Sequence, residues 1–95
     1  MSMEQFKALL PGAPIYQIAV TIEDAWPHPY FGAKPYLNAM RSMAKITNPY
    51  FQDPGPEIVA KFLANASTWR GETARAVKKE LNRRLKENEM EGKET

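Results

Sequence analysis

Pro14-Ile15-Tyr16-Gln17-Ile18-Ala19-Val20-Thr21-Ile22-Glu23-Asp24-Ala25-Trp26 separates an all-α chain from an α+β one. Ile15, Ile18, Ala19, Ile22 and Trp26 recur at helical spacing and form one apolar stripe. Tyr16, Ile18, Val20 and Ile22 also alternate, as the residues of a half-buried strand would. Pro14 suits the first position of a helix, where its missing N–H leaves nothing unpaired. A lone strand would need a partner, and the chain offers no second strand candidate. The expectation is therefore an all-α fold with a helix over residues 14–26. The runner-up is α+β, with residues 15–23 as a strand.

Working outward supports the helical reading. On the N-terminal side, Ser2 and Gln5 have the spacing of a capping box, which predicts a short helix over residues 3–10 ended by Pro11-Gly12. Phe6, Leu9 and Leu10 would be its apolar edge. On the C-terminal side, residues 27–35 contain three prolines and cannot continue a helix. A helix over 35–46 follows, with Tyr36, Leu37, Met40, Met43 and Ala44 on one face. Asn48-Pro49 and Asp53-Pro54-Gly55 mark a second connector. Pro56 then opens a helix over 56–67, with Ile58, Val59, Phe62, Leu63 and Ala66 on its buried side. Ser67 or Thr68 can cap a last helix over 69–88, striped by Ala74, Val77, Leu81 and Leu85. The sum is a bundle of four to five short helices in one domain, residues 1–88, with residues 89–95 expected to fray as an acidic tail.

Composition bounds the chemistry. A chain of 95 residues builds one core, and its 43% hydrophobic and 25% charged residues are ordinary for a globular domain. With no cysteine there is no disulfide, thiolate metal site or cysteine nucleophile. The N-terminal residues lack an export signal, and no apolar run has the length of a bilayer span, so the expectation is a cytoplasmic protein with no membrane association. The net charge of +2 is unevenly spread. Residues 1–60 carry four basic and five acidic groups, residues 70–86 seven basic and two acidic, and residues 87–95 four acidic and one basic.

Three features are candidate partner-binding sites, each with a purely structural alternative. Arg75, Lys79, Arg83 and Lys86 form a cationic ridge opposite the apolar stripe of the last helix, suited to a phosphate backbone or an acidic protein surface. Alternatively they are a solvated face with supporting pairs such as Glu80–Arg84. Trp69 and Arg70, at the predicted helix start, could stack on a base and hold a phosphate or carboxylate. Alternatively Trp69 is wedged into the core, Arg70 pairs with a carboxylate, and Gly71 lets helices approach closely. Tyr30 and Phe31 in one proline-rich connector, and Tyr50 and Phe51 in the other, are interface anchors or caps on the bundle ends. His28 lies between prolines without metal-ligand partners, and Glu23-Asp24 are adjacent rather than on one helical face, so no catalytic constellation, metal site or cofactor is expected.

Residues 29–40 (PYFGAKPYLNAM) and 62–75 (FLANASTWRGETAR), running into Lys79-Glu80-Leu81, together resemble small proteins encoded by bacteriophages and prophages. The resemblance covers roughly residues 26–85 and brings no catalytic residues. It implies a compact accessory protein in a bacterial cytoplasm. The resulting expectation is a non-enzymatic protein-interaction module that binds a bacterial protein, for example as an inhibitor of a defence complex resembling anti-CRISPR proteins. A nucleic-acid or nucleotide binder using the basic helix with Trp69 and Arg70 is the alternative, and homodimerisation is left open.

Overall fold

The computed structural model describes residues 2–92. Among them are five α-helices: α1 (Met3–Leu9), α2 (Ile15–Ala25), α3 (Lys34–Met40), α4 (Gly55–Ala64) and α5 (Glu72–Gly92). Short 3₁₀ turns follow α1 at Leu10–Gly12 and lead into α3 at Phe31–Ala33. The fold is all-α, and the deciding stretch is helical. Ile15, Ile18, Ala19 and Ile22 are buried, whereas Tyr16 and Val20, which a strand would have placed on the same face as Ile18 and Ile22, are exposed.

The capping box forms as the sequence predicts. Gln5 N–H donates to Ser2 Oγ at 3.2 Å, and Ser2 N–H donates to Gln5 Oε1 at 3.0 Å. α3, expected to run to residue 46, stops at Met40. The ladder changes at its donors: Ser42 and Met43 N–H donate to the carbonyls of Ala39 and Met40, three residues back rather than four. The segment that follows caps α2. Pro14 offers no side-chain cap, and the first N–H groups of a helix lack intrahelical acceptors. Ile15 and Tyr16 donate instead to the carbonyls of Ala44 and Met43, at 3.0 and 2.7 Å. Asn48 holds the resulting turn, its Oδ1 accepting from the N–H groups of Ala44 and Lys45. Met43 stays fully buried in this non-helical segment.

α4 begins at Gly55 and ends at Ala64, short of the expected residue 67. Gly55 is required by close approach, since a Cβ there would meet the carbonyl oxygens of Ile46 and Asn48. α5 begins at Glu72 rather than at 69. Gly71 takes φ +115°, and its carbonyl accepts from Arg75 N–H in the first turn of the helix. A Cβ at Gly71 would have nothing within 4 Å, so this glycine serves backbone conformation and not close helix packing. Residues 89–92, expected to fray, are helical; residues 93–95 of the expected tail lie outside the described residues.

The core is one cluster in which Phe62, Ile15, Ile18, Ile22, Met40, Met43, Val59, Val77 and Leu81 are fully buried. α4 packs on α3 and α5, and α2 packs on α3 and α5. Among the described residues no buried side-chain nitrogen or oxygen lacks a hydrogen-bond partner, and no helix is long and apolar enough to cross a membrane.

Candidate interaction groove

α5 sets out its side chains in three strips. Ala74, Val77 and Leu81 face the core. Arg75, Lys79, Arg83 and Lys86 are exposed on the other side. Between these strips lie Glu72, Ala76 and Glu80, which face the N-terminal segment and form one wall of a groove of about 540 Å³. Leu10 and Pro11 form the opposite wall, and Lys7, Arg75, Lys79 and Arg83 line the opening. Lys7 Nζ and Glu72 Oε1 lie 3.5 Å apart across one end, both largely exposed.

The other end is fixed by a buried charge. Glu80 is 6% exposed and forms ion pairs with Arg83 at 2.7 Å and Arg84 at 2.5 Å. Burial pushes the Glu80 carboxyl up, but the hydrogen bonds from Arg83 and Arg84, with their charges, outweigh it and hold the pKa below the ordinary glutamate value. Arg84 also donates to the carbonyls of Leu10 and Pro11, at 2.9 and 3.1 Å. One guanidinium therefore ties the 3₁₀ turn to α5. Arg83 spends its charge on Glu80 and, at 2.6 Å, on Glu87, and both contacts stabilise its charged form. Arg75, Lys79 and Lys86 have no ion-pair partner among the described residues.

The chain matches no family model, no curated protein and no solved structure.

The ridge faces solvent as the sequence predicts, with its charge concentrated in Arg75, Lys79 and Lys86. The Trp69–Arg70 pair does not form a ligand platform. Trp69 is 3% exposed and stacks on Trp26, ring centroids 5.8 Å apart and planes 13° apart. Lys78 Nζ donates to the Trp69 carbonyl at 2.6 Å and lies 6.0 Å from its ring centroid. Burial, with a smaller effect from the Arg70 charge, lowers the Lys78 pKa. Arg70 is exposed, outside the helix, with no ion pair among the described residues. The carboxylate partner considered for it is therefore absent there.

The aromatics of the two connectors pair locally, Tyr30 with Phe31 and Tyr50 with Phe51, ring centroids 4.8 and 4.7 Å apart. Gly32, beside Tyr30, approaches Asn65 at the C-terminal end of α4. Tyr50 shares a small pocket with Pro35 and Tyr36, at the end of the first connector, and with Glu57 and Lys61 of α4. Tyr50 is half-buried, while Tyr30, Phe31 and Phe51 are exposed. Phe51 lies in a tight turn closed by reciprocal Tyr50–Asp53 backbone hydrogen bonds of 2.9 Å and takes φ +55°, a conformation that bulky residues seldom adopt. His28 is exposed, and among the described residues no group of three His, Cys, Asp or Glu side chains is placed to hold a metal ion.

Sequence reasoning missed the groove and the part played by Glu80 and Arg84 in building it. The available signal was angular. Glu80 directly precedes Leu81 and follows Val77 by three residues, which puts a carboxylate at the border of the buried stripe. A charge at that border needs a fixed partner, whereas an exposed i,i+4 pair does not.

Proposed function

We propose that this chain is a non-enzymatic protein-interaction module whose cationic α5 face binds an acidic surface of a partner protein. The carrying observation is that Arg75 and Lys79 have no ion-pair partner among the described residues and stand on the rim of the groove against the N-terminal segment. A nucleic-acid reading has less support. Trp69 is spent in the core and Arg83 is held by Glu80 and Glu87, so the stacking surface and one of the four ridge cations are not available to a nucleic acid. In its most concrete form, suggested by the resemblance to small phage-encoded proteins, the partner is a component of a bacterial defence complex. The module would occupy acidic contacts on that partner in the cytoplasm.

The test is titration of the protein with poly-L-glutamate and with duplex DNA at two salt concentrations. The expected result is binding to poly-L-glutamate that is lost in Arg75→Glu/Lys79→Glu, with circular dichroism unchanged because both side chains are exposed. Tighter binding to DNA, with a steep salt dependence, would replace this reading with the nucleic-acid one. Poly-L-glutamate binding that survives the double reversal would remove α5 as the contact face.

A further inference from the structure

Resting on that reading, we infer that the groove takes an extended acidic–apolar–acidic peptide segment of the partner, with two carboxylates on Arg75 and Lys79 and the apolar side chain between them on the Pro11/Ala76 surface. Two observations define the occupant. The rim supplies positive charge with no ion-pair partner among the described residues at two points one helical turn apart, since Arg75 and Lys79 are four residues apart on α5, about 6 Å along the axis. The interior supplies apolar surface from Pro11 and Ala76, over a Leu10 that is itself buried.

In an extended segment, residues i and i+2 point to one side about 6.6 Å apart, and residue i+1 points to the other. A Glu-Leu-Glu pattern therefore presents two carboxylates at the spacing of the two cations and one leucine toward the groove. Arg83 cannot add a third carboxylate site, because Glu80 and Glu87 already hold it. The wall from Glu72 to Arg83 rises about 16 Å, room for about five extended residues. A phosphodiester chain matches the cations but has no group for the apolar surface.

The test uses fluorescein-labelled nine-residue peptides that differ only in the central triplet: Glu-Leu-Glu, Glu-Ser-Glu and Gln-Leu-Gln. Fluorescence anisotropy is measured on the full chain, on Arg75→Gln/Lys79→Gln and on Ala76→Gln, which narrows the apolar surface without changing charge. The Glu-Leu-Glu peptide is expected to bind about tenfold more tightly than Glu-Ser-Glu, the ratio for burying most of one leucine side chain. Ala76→Gln is expected to erase that ratio, and Arg75→Gln/Lys79→Gln to weaken both acidic peptides. Equal binding of Glu-Leu-Glu and Glu-Ser-Glu, both lost in the double variant, would overturn the apolar subsite and leave the acidic-surface reading standing. Acidic peptides indifferent to the double variant would overturn both. No detectable binding of Glu-Leu-Glu at about 1 mM would overturn the segment proposed here, while the poly-L-glutamate titration would still decide the broader reading.

Discussion

At the scale of single residues, the most consequential side chain is Glu80. Its carboxylate is out of water and depends on two guanidinium groups, so its removal leaves Arg84, whose side chain is only 13% exposed, without its charge partner. Glu80→Gln should destabilise the fold by about 2–3 kcal/mol, the cost of losing hydrogen bonds between charged groups in a sheltered site. The pH dependence has a definite sign. A carboxyl whose folded pKa lies below its unfolded value contributes stability above the unfolded pKa, about 4.3 for glutamate, and loses that contribution as pH falls through the lower folded value. Urea midpoints of the native chain and Glu80→Gln should thus be well separated at neutral pH and converge below about pH 4. A separation that stays constant down to pH 3 would show that folding does not lower the Glu80 pKa. Side-chain exposure was legible in sequence wherever a residue sits squarely on or opposite a stripe, as Val77 and Lys79 do. It was not legible for Glu80, and for Trp69 the sequence offered burial in the core beside an exposed stacking role, of which burial is observed. Their burial depends on which segment packs over them, and for Glu80 that segment lies about 70 positions away in the chain.

At the scale of elements, apolar periodicity located all five helices, and their ends were the part misread. Each error has a local physical cause in hydrogen-bond demand. The stripe Tyr36, Leu37, Met40, Met43, Ala44 is consistent with a helix to residue 46, yet the Ala44 and Lys45 N–H groups, which a helix would direct to Met40 and Arg41, go to Asn48 Oδ1. No property of residues 35–46 alone announces that demand. Gly71 moved the start of α5, because a left-handed glycine breaks the helix from the preceding Trp69-Arg70. The capping role of the segment after α3 makes a prediction. Asn48→Ala removes the Oδ1 acceptor for both Ala44 and Lys45 N–H groups and should cost about 1–2 kcal/mol. Because the turn that Asn48 holds also caps α2, the Ile15 and Tyr16 amides should lose hydrogen-exchange protection more than the amides in the middle of α4. Equal loss in both helices would mean that Asn48 acts on global stability and that α2 does not depend on this turn for its cap.

At the scale of the molecule, the helices differ in how they are held. α2, α4 and α5 each place several residues in the shared core, whereas α1 has none buried and packs only through Phe6 and the following Leu10. Two electrostatic ties supplement this, the exposed Lys7–Glu72 pair and the Arg84 bonds to the Leu10 and Pro11 carbonyls. Exposed ion pairs contribute little, so Arg84 is the stronger tie. A segment with so little buried area should open at lower free energy than the core. That matters for the groove, because Lys7, Leu10 and Pro11 form the side opposite α5, and an N-terminal segment that swings away dissolves the site while leaving the cationic face of α5 intact. Arg84→Lys isolates the tie. Lysine keeps a positive charge beside Glu80, but its single ammonium cannot reproduce a planar fork that spans the carboxylate and two carbonyls. Exchange of the Lys7–Leu10 amides should accelerate about tenfold or more, with the buried part of α4 unchanged and the thermal midpoint lowered only slightly. Should those amides in the native chain exchange at the same rate as α4, α1 would belong to the globally cooperative unit. Should Arg84→Lys leave them unaffected, the burial of Leu10 would suffice to hold the segment, and the guanidinium would serve Glu80 alone.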